Sequence, residues 1–454
     1  MEVSSGAPVS NAKFVKIAKV IESRIETGDY KPNSKLPTHR VLADELKTTP
    51  ATVAKAYSLL AKKGKIESYV GRGTYVSEKS GLGKAIQAPE HSDSYNFSIL
   101  QPCLHKNVDS LQRAYQSTAM TITSELIGYV EHSGHEIHRQ AGATWAEHYG
   151  LEGGNANNTI LTNGAQHALS LLIDAMTKPG DTIAVESLTY PGIFAIANLS
   201  QRNIVGVPMD AYGVSPDALD SVITMHKPKL VIILPSHQNP TGITMPEFRR
   251  EELARVIRRH NIWLVEDDIY CFLDETPIPA ISNYIPELSF HISALSKAIS
   301  PAMRCGYIKA PDSQVALLNA YIRSTIWLPS PINFNAATHL IETGEAFDLA
   351  NTQRSTAQER QLIAREIIPT IKCRSTGYHI WLPLPEQWKA EHLVQQAKHH
   401  NILVSSGSYF DVNGIEAGHI RLSLMKVNTE ARLREGLNKL KSLMDSNVNT
   451  MLPF

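Results

Sequence analysis

Apolar residues recur at helical spacing along the first sixty positions. Phe14, Ile17, Ile21 and Ile25 share one face and predict a helix ending near Gly28. A second helix is predicted from Thr38, with Val41, Leu42 and Leu46 turned inward. A third is predicted over 51–63, with Val53, Tyr57 and Leu60 as its buried stripe. Its outer face carries Thr52, Lys55 and Lys62, and Thr49 stands at its entrance. After Gly64 the period shortens to that of strands, over 66–70 and 74–76, joined by the turn Gly71-Arg72-Gly73.

The pattern then changes twice. Residues 79–94 (KSGLGKAIQAPEHSDS) are small and polar, as in a linker. From Tyr95 onward, short apolar runs alternate with longer amphipathic stretches, the runs falling at 159–161, 182–185, 230–234, 262–265 and 291–294. Apolar strands alternating with helices predict a mostly parallel, buried sheet. The division expected is therefore a helical module at 11–78, a linker at 79–94 and an α/β domain at 95–454.

Charge adds a little to this picture. Residues 1–78 hold 10 Lys and 3 Arg against 8 acidic residues, a net of +5; since the whole chain is neutral, the rest carries −5. Positive charge gathered at one end hints at a nucleic-acid-binding module. The four cysteines, Cys103, Cys271, Cys305 and Cys373, are far apart, so neither a zinc site nor a disulfide framework is indicated. No apolar leader and no run of about 18 apolar residues is present. A protein of the cytoplasm, with no membrane partner, is expected.

Three helices and a basic-tipped hairpin make a winged helix-turn-helix. Such a module places the start of its third helix in a DNA major groove and its wing against phosphates or the minor groove. A small helical domain with an ordinary charged surface fits the same periodicity. The string GDYKPNSKLPTHRVLADELKTTPATVAKAYSLLAKKGKIESYVGRGTYV, however, resembles the GntR-type winged helix over nearly its full length. The resemblance implies that double-stranded DNA is a partner and that Arg40, Thr52 and the wing residues Gly71, Arg72, Gly73 and Thr74 face it; Thr49 and Lys55, at the entrance and on the outer face of the third helix, are expected there with them. Where that family usually has Ser-Arg at the start of the third helix, this chain has Thr49-Pro50. Proline suits a first helical position, but it cannot reach a phosphate or a guanine as arginine would.

Five motifs of the α/β region bear on its chemistry. Thr162-Asn163-Gly164-Ala165-Gln166 follows a strand and opens a helix, a place where backbone N–H groups can hold a phosphate or simply make a turn. Tyr190-Pro191-Gly192 offers an aromatic that could stack on a ring or merely pack. Pro235-Ser236-His237-Gln238-Asn239-Pro240-Thr241-Gly242 ends an apolar strand, where α/β sheets place ligands, although Asn-Pro-Thr-Gly is also a generic turn. Glu266-Asp267-Asp268-Ile269-Tyr270 ends the next; its carboxylates suit a pyridinium nitrogen or Mg²⁺. Ser293-Ala294-Leu295-Ser296-Lys297 is followed seven residues later by Arg304. A lysine beside a buried strand is costly unless its amine is used, and the arginine can clamp a phosphate.

In this order and spacing the five resemble the fold-type-I, pyridoxal 5'-phosphate (PLP)-dependent aminotransferases, over about residues 95–444. The resemblance implies PLP as cofactor, bound to Lys297 as a Schiff base, with Asp267 at the pyridine nitrogen. It assigns Asn239 and Tyr270 to the ring oxygen and Tyr190 to the ring face. Gly164, Ala165, Gln166, Ser296 and Arg304 go to the phosphate. Tyr129 would reach the phosphate of a second subunit, and Arg421, in His419-Ile420-Arg421-Leu422-Ser423, would hold a substrate α-carboxylate rather than a surface acid. Ala294 and Ala302 stand where the family often has Ser or Thr and Gly. A GntR-type winged helix fused to such a domain resembles the MocR-type transcriptional regulators. That architecture implies a homodimer sensing an amine, an amino acid or PLP itself; a working aminotransferase with an accessory DNA-binding module is the alternative.

Overall fold

The computed structural model describes residues 13–26, 29–31, 34–62, 65–69, 73–76, 94–130, 132–372 and 375–446. They fall into two compact units, Met1–Ile86 and Gln87–Phe454, divided within the stretch that reads as a linker. No described helix is long and apolar enough to cross a membrane.

The first unit has three helices, α1 (Lys13–Glu26), α2 (His39–Glu45) and α3 (Pro50–Lys62), and a hairpin of β1 (Ile66–Tyr69) and β2 (Gly73–Val76). Ile17, Ile21, Ile25, Leu42, Val53, Tyr57 and Leu60 form one core, as the helical spacing predicts. Thr38 caps α2 by accepting from the Val41 N–H. Val41 itself corrects the inward reading, being 57% exposed. Neighbours on a helix point about 100° apart, so in this short helix Leu42 and Ala43 face the core and Val41 turns to solvent. A second strand edge escaped the pattern altogether. Lys35 bridges to Tyr75, with Leu36 N–H donating to Thr74 O and Val76 N–H to Ser34 O, so the hairpin gains a third partner only a few residues long.

The second unit opens with β3 (Tyr95–Asn96) and is built on a large sheet. Its strands are β4 (Thr159–Asn163), β5 (Thr182–Glu186), β6 (Asn203–Val207), β9 (Leu230–Ile233), β10 (Trp263–Asp267), β11 (Ser289–Ala294) and β12 (Cys305–Lys309), beside a small hairpin of β7 (Met209–Asp210) and β8 (Gly213–Val214). The sheet order is β4-β12-β11-β10-β9-β5-β6, and only β12 runs antiparallel to its neighbours. The connection from β11 to β12 is too short for the crossover of about a dozen residues that a parallel pairing requires. Successive residues of each strand enter two cores: Ile183, Val185, Leu230 and Ile232 pack on one face, Ala184, Val231 and Ile233 on the other. Burial on both faces explains the unbroken apolar runs in the sequence.

The remaining layer holds β13 (His379–Pro383), β14 (Ile402–Leu403), β15 (Ser405–Ser406) and β16 (His419–Ser423). β13, β16 and β15 form an antiparallel sheet, while β14 pairs with β3. The long helix Glu345–Ile367 ties the layers together, placing Leu349, Ala350 and Ala357 in one core and Ile363, Ala364 and Ile367 in the next.

Candidate cofactor site and nucleic-acid interface

The parallel strands of the large sheet end along one edge, and the antiparallel β12 begins there. Asp267 ends β10, Asn239 follows β9, Lys297 follows β11, Gly164 follows β4 and Arg304 precedes β12. The loops after parallel strands are where such sheets gather ligand-binding groups.

Lys297 Nζ donates to Leu100 O at 2.7 Å and lies 5.9 Å from the Tyr270 ring centre, while Tyr378 Oη donates to the Lys297 carbonyl at 2.6 Å. Burial, followed by the Arg421 charge, lowers the Lys297 amine to about 8, with Asp267 opposing the shift. Asp267 is 4% exposed, and its Oδ1 makes no hydrogen bond within the chain. Burial and the neighbouring Asp268 push its carboxyl up to about 7. Asp268 behaves oppositely: burial would raise it, but His291, Arg250 and Ser236 hold it below the ordinary carboxylate range. Two adjacent carboxyl groups therefore have separate tasks. Each has an Oδ1 without a hydrogen bond, but Asp268 is held as an anion by His291, Arg250 and Ser236, whereas Asp267 lies beside the Lys297 amine and is pushed toward its neutral form.

Arg421, on β16, is 6% exposed and drawn toward the same edge. It donates to Asn239 Oδ1 at 2.9 Å, to Ser405 Oγ at 3.3 Å and to Ser98 O, with its guanidinium carbon 4.8 Å from the Phe410 ring centre. Burial lowers it to about 10, so it stays cationic at neutral pH, and its Nε lacks a partner within the chain. Tyr190 is pushed up to about 12 by burial and then by Asp267, which keeps the phenol neutral. Burial also raises Tyr270, which is 4% exposed.

The phosphate-binding candidates sit around the start of the helix Ala165–Met176, which no side chain caps. Gly164 has φ +78°, and a Cβ there would lie 2.8 Å from the Arg304 guanidinium. Arg304 donates to Asn163 O at 2.8 Å and is otherwise exposed. Gln166 Oε1 and Ser296 Oγ are buried without hydrogen bonds inside the chain. The unpartnered atoms gathered along this sheet edge fit PLP. The orphaned carboxylate oxygen of Asp267 suits a ring N–H, the Lys297 amine suits an aldehyde, and the Gly164–Arg304 turn suits a phosphate.

Tyr129 is the one cofactor candidate that this chain does not gather in. It is 79% exposed and leans on the Trp327 ring at 5.1 Å. Two site groups have no signal in the sequence: Ser98 and Leu100 enter through backbone carbonyls. Tyr378, just before β13, adds a hydroxyl that bonds the Lys297 carbonyl. Glu186 at the end of β5 is fully buried, holds Gln238 and Thr189 through Oε2, and is pushed up to about 8 by burial. Its place after an apolar strand was the only clue. Among the described residues no group of three or more His, Cys, Asp or Glu side chains is placed to hold a metal ion.

In the first unit Arg40 lies exposed at the first turn of α2 and Lys55 exposed on α3. Thr49 caps α3, accepting from the Thr52 N–H at 3.3 Å and sharing a hydrogen bond with the Thr52 hydroxyl at 2.8 Å. A cleft of about 570 Å³ between α2 and α3 is lined by Thr38, His39, Arg40, Pro50, Ala51 and Ala54. Gly73, at φ +110°, lets Lys35 approach so closely that a Cβ would meet its Cε at 2.5 Å, and Thr74 follows in β2. Gly71 and Arg72 lie outside the described residues.

Comparison with known proteins agrees with both halves. Residues 92–440 match the family described as aminotransferase class I and II, and residues 14–76 match the bacterial regulatory proteins of the gntR family. The HTH-type transcriptional regulator YdeF of Bacillus subtilis (strain 168) is 25% identical over 95% of this chain and 94% of its own length. The 2-aminoadipate transaminase of Thermus thermophilus is 26% identical over 62% of this chain and 74% of its own. Among solved structures, the kynurenine aminotransferase of Pyrococcus horikoshii superposes with a TM-score of 0.72 at 20% identity, over 82% of this chain and 98% of that one. That likeness shows a shared fold.

Proposed function

This chain belongs to the aminotransferase class I and II family, with a gntR-family DNA-binding domain before it, and we propose that it works in the cytoplasm as a PLP-dependent transcriptional regulator. Its ligand in this reading is an amine or amino acid, or PLP itself. The observation that carries the reading is the presence of both domains in one chain, an arrangement shared along 94% of a relative named as a transcriptional regulator. This is the architecture of the MocR-type regulators.

Each residue has a task that follows from its surroundings. Lys297, whose amine is neutral above about pH 8, would hold the cofactor covalently and move a proton at Nζ once released. When bound, PLP supplies an electron sink and an electrophilic carbon. Asp267 would accept from the ring nitrogen, satisfying its orphaned Oδ1. Asn239 and Tyr270 would serve the ring oxygen, and Tyr190 the ring face. Gly164, Ala165, Gln166, Ser296 and Arg304 would hold the phosphate. Arg421 would bind a carboxylate by a bidentate pair, which favours amino acids over simple amines. Tyr129, exposed here, would complete the phosphate site of a second copy in a homodimer, and two copies would place two winged helices on two half-sites. Sensing then requires that the ligand bind two arrangements of the chain with different free energies.

A second reading, a working aminotransferase, is favoured by the completeness of the Lys297–Asp267–Arg421 set and by the likeness to a transaminase. Two assays separate them. Footprinting on DNA flanking the chain's own gene should show a protected site that changes with PLP and amino acid; no protection under any condition would end the regulator reading. Steady-state assays with amino acids and 2-oxoglutarate should show little turnover, and robust transamination would favour the enzyme.

A further inference from the structure

The start of α3 has an unusual surface for a helix that enters a major groove. Its two hydroxyl side chains, Thr49 and Thr52, are engaged with each other, one donating to the other, and Thr49 also accepts from the Thr52 N–H. Pro50 and Ala51, both exposed, and Ala54, half-buried like Thr52, complete this tip; none of these three has a side-chain donor or acceptor. With Arg40 and His39 of α2 they line the cleft between the two helices. The first polar side chain farther along this face is Lys55, which is exposed.

Base pairs in the major groove differ in donors, acceptors and one apolar group, the C5-methyl of thymine. A surface made of Pro50, Ala51 and Ala54 cannot read the first two. It can bury the third against a pyrrolidine ring and two methyl groups. We propose that Pro50, Ala51 and Ala54 form a methyl-reading surface, so that specificity at this position of each half-site is for thymine, with Arg40 and Lys55 anchoring neighbouring phosphates. The inference rests on the DNA-binding reading above and adds which base the helix selects and by what group. Arginine at position 50 would select guanine or phosphate; Pro50 removes that option and supplies an apolar wall.

The test uses the full-length protein on the duplex that footprinting identifies. Thymines in each half-site are replaced one at a time by deoxyuridine, which lacks only the methyl. Burial of one methyl corresponds to roughly a fourfold change in affinity, so one thymine per half-site should show a loss of about that size. At the same position cytosine should bind poorly, and 5-methylcytosine should recover roughly fourfold over cytosine. In the Ala51→Gly and Ala54→Gly variants the thymine-to-uracil ratio should fall toward one, even where overall affinity also changes. Protection of DNA with no uracil-sensitive position, or uracil sensitivity unchanged in both variants, would overturn the proposal while leaving DNA binding intact. Absence of any protected site would instead remove the DNA-binding reading itself.

Discussion

Substituting Asp267→Asn should stabilise the cofactor-free protein at neutral pH while weakening its hold on PLP. Asp267 is 4% exposed, and burial with Asp268 alongside raises its carboxyl from 3.8 to about 7. Below pH 3.8 the folded and unfolded chains both carry the proton. Between 3.8 and about 7 only the folded chain keeps it, so stability falls as pH rises through this window and then levels off. From pH 5 to 7 the loss is two pH units at about 1.36 kcal/mol each, or about 2.7 kcal/mol. Asparagine has the same shape and does not titrate, so it escapes this loss. The stability difference in favour of Asp267→Asn should therefore widen by about 2.7 kcal/mol between pH 5 and pH 8. Urea unfolding followed by tryptophan fluorescence measures it cleanly, because Trp145, Trp263, Trp327, Trp381 and Trp388 all belong to the Gln87–Phe454 unit. A gap that stays constant with pH, or a variant less stable than wild type at pH 8, would refute the picture of an unsatisfied, strongly desolvated carboxyl group. The same variant should release PLP more readily on dialysis, since an amide cannot balance a pyridinium charge.

Lys297→Ala should abolish the near-visible absorbance of bound PLP, and a variant that keeps the wild-type spectrum would show that the cofactor is attached elsewhere. Arg421→Gln should weaken α-amino acids by about 2–4 kcal/mol, the worth of a bidentate charged pair, and leave the corresponding decarboxylated amines nearly unchanged. Spectral titration checks this, and equal losses for both ligand classes would deny Arg421 a role at the carboxylate. Gly73→Ala should destabilise the N-terminal unit by about 1–2 kcal/mol, because φ is +110° and the new methyl would displace Lys35. Melting followed by far-UV circular dichroism should show a lowered transition for that unit, with the tryptophan-monitored transition unmoved.

Much of the site was legible because its members are carried by loops with fixed positions relative to strands. The apolar runs marked the strands, and the residues after them, Gly164, Asn239, Asp267 and Lys297, come to one sheet edge for that reason alone. Arg421 was legible only through resemblance, since it comes from another sheet and meets Asn239 across 182 positions of chain. The carbonyls of Ser98 and Leu100 had no signal at all. Any residue has a carbonyl, and it is the pairing of β3 with β14, with the bonds from Ser423 to the Phe97 and Ile99 carbonyls, that brings these two to Arg421 and Lys297. Val41 shows the reverse limit: an apolar residue in phase with a helix is exposed because Leu42 and Ala43 fill the narrow buried face of this short helix and Val41 falls outside it.

By itself the sequence determined the periods, and hence which segments are helices, which are doubly buried strands, and which polar residues lie just beyond them. Those are local properties, set by backbone geometry and by the side chains of neighbouring positions. Only the tertiary structure decided charge state and partnership. Asp267 and Asp268 are adjacent, chemically identical and both buried with an Oδ1 that has no hydrogen bond, yet His291, Arg250 and Ser236 hold Asp268 as an anion while burial and Asp268 itself push Asp267 up to about 7. Desolvation and Coulomb interaction depend on what surrounds an atom in space, and that neighbourhood exists only once distant parts of the chain have met.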